Sequence, residues 1–111
     1  MKIDNKENFV VLTDDRGDLE DFAGFLEKQI PSKYQGQNVV IDLLAFDSLK
    51  LEALLMFLKV SNTHRQTKHS FVLVNNAINP DEIPFEMVVV PTLQEAEDII
   101  QMEEIERDLG F

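Results

Sequence analysis

Four short runs constrain this chain more than anything else: FVVL at 9–12, VVIDLL at 39–44, SFVLV at 70–74 and MVVV at 87–90. Each is apolar and rich in β-branched or aromatic residues, the composition of a buried strand. Between them lie segments with helical spacing. Leu19, Phe22, Ala23, Leu26 and Ile30 form one apolar face over residues 18–30. Asp18 and Asp21 stand where acids meet the positive end of the helix dipole, and Pro31 is expected to end the helix. Leu51, Leu54, Leu55 and Leu58 mark a second helix over 49–62.

The rest of the order follows from local chemistry. Lys2–Asp4 and Phe9–Thr13 can pair as a hairpin around NKEN, and Pro80–Ile83 can form one helical turn. Thr92 with Glu95 is a capping box, in which the hydroxyl accepts from an amide of the first turn and the carboxylate reaches back. It opens a last helix with Leu93, Ala96, Ile99 and Ile100 on its apolar face, and Gly110 suits the stop. Apolar strands covered by intervening helices make an α/β fold on a largely parallel or mixed sheet of four to five strands. Residues 1–111 read as one domain, with an acidic helical extension at about 102–111.

Charge and composition narrow the function classes. The net charge is −11, from 21 acidic and 10 basic residues. Such a surface repels phosphate backbones and anionic lipid, so neither nucleic acid nor membrane is expected as a partner. The one mildly basic stretch, with Lys59, His64, Arg65, Lys68 and His69, reads as a solvated helix end. There is no cysteine, which removes disulfides and thiolate chemistry and fits a cytoplasmic protein. No run approaches the roughly 20 apolar residues of a membrane span, and the N-terminus carries no signal-peptide pattern.

With this order in hand, the chain resembles the STAS domain, the fold of bacterial anti-sigma factor antagonists. VVIDLLAF resembles the family's central strand, SFVLVNNA the next strand, and VVVPTLQEAEDII the last strand and helix. The resemblance covers residues 1–101. It implies a mixed sheet with helices mainly on one face, and a regulatory protein that works by binding another protein. The family's strand continues through a loop to Asp-Ser-Ser-Gly, which opens a helix. Counted without a gap from Asp42, that motif falls on Lys50-Leu51-Glu52-Ala53. The phosphoacceptor position is then Leu51. A three-residue slip would bring Asp47-Ser48 into the site, with Leu49 and Lys50 in place of the second Ser and the Gly. Ser48 is thus a candidate phosphoacceptor. It also sits where the N-cap of the following helix is expected, which is the simpler reading.

Other chemistries leave weaker marks. A small-ligand sensor is one alternative, although runs of Phe and Leu more often build core than pocket. A receiver-like phosphoprotein is another: Asp42 would accept the phosphoryl group, and Asp14 and Asp15 would help hold magnesium. Against it, the span from Asp15 to Asp42 has room for only one helix and a loop, and Val90 rather than lysine precedes Pro91. The ending EEIERDLGF is similar to that of short chains named ribonuclease Z, but the long histidine-rich metal motif of that enzyme is absent. His64 and His69 read as exposed structural residues, so no catalytic group, metal site or cofactor is expected.

The last helix has the most unusual composition. Met102, Ile105 and Leu109 continue an apolar stripe among acids, and Phe111 follows. These four are the candidate partner-binding residues. The simpler expectation is that the stripe packs back on its own domain. The functional one is a docking helix for another protein or for a second copy of the chain, as in a homodimer.

Overall fold

The computed structural model describes residues 1–110. Five strands form one sheet in the order β1-β2-β3-β4-β5: β1 Lys2–Asn5, β2 Val10–Thr13, β3 Val39–Asp42, β4 Phe71–Val74 and β5 Val89–Val90. The β1–β2 hairpin is antiparallel and all later pairs are parallel. The register aligns Val10 with Val39 and Phe71, and Leu12 with Ile41 and Leu73. β5 is shorter than the sequence suggests. Met87 is buried ahead of it, after a turn in which its amide bonds to the Pro84 carbonyl.

The helices are α1 Leu19–Lys33, α2 Leu51–Leu55, α3 Leu58–Arg65 and α4 Leu93–Asp108. Side chains of a strand alternate between the two faces of a sheet, so each face needs its own cover. Val10, Leu12, Val39, Ile41, Phe71 and Leu73 pack with Phe22, Leu26 and Ile30 of α1, Leu54 of α2 and Val60 of α3. On the opposite face, Val11, Val40, Val72 and Val74 pack with Ala96 and Ile100 of α4. Three helices thus share one face, and α4 covers the other by itself. None of these helices is long and apolar enough to cross a membrane.

Two boundaries differ from the sequence reading, each for a physical reason. Pro31 does not end α1; it lies inside the last turn. The acceptor it leaves without a donor belongs to Glu27, which is exposed, so water can satisfy that carbonyl. Ile30 and Tyr34, both buried, hold the turn from either side. The helix expected over 49–62 is broken at Met56–Phe57. There the amides of Met56 and Phe57 bond three residues back, to Ala53 and Leu54. The tighter turn drives Phe57 into the core, fully buried and edge-on to Phe22 with ring centroids 6.3 Å apart.

Phe57 therefore carries much of the packing between α1 and the α2–α3 break. Phe57→Ala is expected to cost about 3–5 kcal/mol in urea unfolding, because the cavity it leaves lies under two helices. Leu55→Ala, two residues away and 42% exposed, should change stability by about 0.5 kcal/mol or less.

Candidate functional site

β3 delivers the chain into the β3–α2 loop at residues 43–50. Asp42 is half-buried, and its Oδ1 accepts from the Leu44 amide at 2.9 Å, which turns the chain out of the strand. Leu43 and Leu49 bury their side chains and tie down the two ends of the loop. The loop is pinned from the neighbouring strand as well. The Asn75 side chain, 3% exposed, donates to the carbonyls of Leu43 (2.9 Å) and Phe46 (3.1 Å). Its Oδ1 accepts from the amides of Ala77 and Ile78. Sequence reasoning passed over Asn75; the only signal was an amide side chain at the end of an otherwise apolar strand.

Ser48 does not cap α2. Lys50 takes the N-cap position in extended backbone, and no side chain caps the helix. Burial of Leu49 keeps the approach extended and delays the first helical residue to Leu51. Asp47 and Ser48 stand exposed on the loop, and Leu51 is half-buried.

The carboxylates that would make a receiver-like site are not brought together. Asp14 accepts from the amides of Arg16, Gly17 and Asp18 and so closes the β2–α1 turn. Asp15 lies 2.9 Å from the Met1 ammonium, which holds its carboxyl below the usual range. Among the described residues no three His, Asp or Glu side chains converge as a metal would require.

The basic stretch 59–69 is solvated only in part: Lys59 and Lys68 are exposed, whereas Arg65 and the two histidines are not. His64 is 2% exposed, with Nε2 2.7 Å from the Gln37 carbonyl and its ring edge-on to Phe71; His69 is half-buried. Burial holds the His64 pKa below its ordinary value. The charges of His69 and Arg65 push the same way, and the bond to Gln37 opposes them. A neutral imidazole donating Nε2–H to Gln37 meets these constraints.

Arg65 reaches α4. It donates to the Phe71 carbonyl at 3.0 Å and forms an ion pair with Glu103. Glu103 also accepts from the Ser70 hydroxyl at 2.6 Å. Arg107 donates to Asn38 Oδ1 and Ser70 Oγ, each at 3.3 Å, and the Asn8 amide donates to Glu104 at 2.7 Å. Asn38 joins the ends of the strands, accepting from the Ser70 amide and donating to the Asn8 carbonyl. α4 is thus moored by Ala96 and Ile100 above and by Glu103, Glu104 and Arg107 below.

This mooring decides which side of α4 faces out. Met102, Ile105 and Leu109 are 56%, 60% and 67% exposed, so the stripe does not pack back on the domain. The inner face was taken by residues at 96, 100, 103 and 107, a spacing that also defines one side of a helix. Phe111, the fourth candidate, lies outside the described residues. An open groove of about 390 Å³ lies between the hairpin and α4, lined among others by Lys6, Phe9, Val11, Leu93 and Glu97.

No family model matches the sequence, and no curated protein matches it. Solved structures do. A serine-to-glutamate variant of RsbS from Moorella thermoacetica superposes with a TM-score of 0.66 at 17% identity, covering 96% of this chain and 97% of that one. A chain from a structure of the stressosome, described as a signal integration and transduction hub, superposes at 0.60 and 17% identity, covering 90% and 96%. The likeness spans nearly the whole of both chains, and the fold is the STAS fold.

Two measurements test the mooring. Glu103→Ala strips the partner from Arg65 and Ser70 and should cost about 1–3 kcal/mol, whereas Glu106→Ala, on the outer side, should stay within about 0.5 kcal/mol. His64 gives the pH dependence its sign. A histidine whose folded pKa is depressed stays neutral while the unfolded chain takes up a proton, so stability falls as pH drops below about 6.5. Melting temperatures between about pH 7.5 and 5.5 should decline more steeply for the native chain than for His64→Gln, which removes the titration.

Proposed function

We propose that this chain is a regulatory STAS-type module that acts by contact with another protein and is not switched by phosphorylation of the β3–α2 loop. The observation that carries the reading is what opens α2. In the family the phosphoacceptor stands at the start of this helix; here that residue is Leu51, followed by Glu52 and Ala53. Leucine has no hydroxyl to accept a phosphoryl group. Ser48 lies three residues earlier in an extended, exposed approach, away from the helix amides that would steady a phosphate.

The full-length likeness to RsbS and to a stressosome chain supports the regulatory part of the reading. It also favours work within an assembly of proteins over catalysis, and the cytoplasm as its setting. Asp42, the other phosphoacceptor candidate, has its carboxylate engaged with the Leu44 amide. In this reading it shapes the turn out of β3 and carries no phosphoryl group.

The test is chemical. Incubated with ATP and a kinase active on a phosphorylatable STAS protein as positive control, the full chain should show no phosphate on the peptide containing Ser48. Ser48→Ala and Ser48→Glu should leave the fold and protein binding unchanged. Stoichiometric phosphate on Ser48, together with a change in binding caused by Ser48→Glu, would replace this reading with a working switch. A labile acyl phosphate on Asp42 in the presence of magnesium and a small phosphodonor would point instead to the receiver-like alternative.

A further inference from the structure

On the outer side of α4, Met102, Ile105 and Leu109 recur at spacings of three and four. Those are the a, d and a positions of a heptad, the seam along which one helix meets another. All three are more than half exposed. In the same register the flanking positions are Gln101 and Asp108 at g and Glu106 at e, all exposed. Asp98 and Glu95, at the preceding d and a positions, end the apolar run and carry the acidic surface toward the start of the helix. The one base of the helix, Arg107, is turned inward to Asn38 and Ser70 and cannot relieve this charge.

The flanks decide what can cover the seam. Residues at e and g face their counterparts on the partner helix, and there opposite charges attract while like charges repel. A second copy of this chain would set these acids against each other when antiparallel and Glu106 against Gln101 when parallel, so neither orientation supplies an opposite charge, on a protein of net charge −11. We propose that the outer face of α4 is a docking seam for an amphipathic helix of a different protein, with aliphatic residues at a and d and Lys or Arg at e and g. The proposal rests on the protein-binding reading and names its surface and the chemistry of its partner. The seam spans only the last two turns of α4, since Gly110 follows with φ +84 and stops the helix. Contact through so short a seam belongs to the weak, reversible class.

A synthetic peptide tests this on the full chain. One peptide of about three heptads carries Leu at a and d and Lys at e and g, and its twin carries Glu at e and g. By fluorescence anisotropy the Lys peptide should bind and weaken as salt rises, and the Glu peptide should not bind. Ile105→Ser should weaken the Lys peptide at least about tenfold, the loss expected for one buried aliphatic side chain. Ile105→Glu should weaken it too, although it adds negative charge; binding driven by charge alone would tighten instead. Leu109→Ser serves as a second variant, and circular dichroism verifies that each one folds.

Absence of Lys-peptide binding, or binding indifferent to residues 105 and 109, overturns the proposal. A dimer of the chain alone by light scattering, dissolved by Ile105→Ser, overturns it in favour of a second copy. None of these outcomes bears on Ser48, so failure of the seam leaves the reading without a phosphoswitch to stand or fall on its own test.

Discussion

Val39, Val40 and Ile41 alternate between the two faces of the sheet, and all three are fully buried. A central strand sealed on both sides demands two separate covers, and the rest of the structure meets that demand. The face bearing Val39 and Ile41 receives α1, α2 and α3 from the connections between parallel strands. The face bearing Val40 receives only α4, the helix left after the last strand. One helix must therefore do on one side what three do on the other, and its geometry is the more exposed for it.

α4 meets this task with few apolar residues. Ala96 and Ile100 are its fully buried contacts with the sheet, and below them the inner face turns polar. Glu103 and Arg107 are satisfied there by Arg65, Ser70 and Asn38 at the ends of three segments. A partly buried carboxylate or guanidinium is tolerable only when such partners are supplied. Because the inner face absorbs the only base and two of the acids, the outer face keeps apolar side chains flanked by acids and one glutamine, with no basic group among them. The mooring of the helix and the character of its free face have a single cause.

The opposite end of the sheet shows how the β3–α2 loop took its shape. Leu43 and Leu49 bury, Asp42 turns the chain, and Asn75 grips two carbonyls from the next strand. That leaves Ala45, Asp47, Ser48 and Lys50 to face water, and it sets the first helical residue at Leu51. The loop is thus held at its ends by burial and along its length by hydrogen bonds from the next strand.

The strands, their order along the chain and the Thr92 cap were legible in the sequence because their causes are local. β-branched runs favour extended backbone wherever they lie, and Thr92 with Glu95 closes the start of α4 through bonds three residues long. Other features were not legible. The break at Phe57 answers to Phe22 on another helix, the burial of His64 to a carbonyl at Gln37, and the start of α2 to the burial of Leu49. α4 makes the contrast plainest. Its sequence holds two competing stripes, 96-100-103-107 and 102-105-109, and either could have faced the sheet. The choice fell to Ser70, Arg65 and Asn38, which lie 33, 38 and 69 residues from their α4 partners along the chain. The sequence by itself determined that a helix would form there. Only the tertiary structure, by bringing those distant groups to one end of the sheet, decided which side of it would meet water.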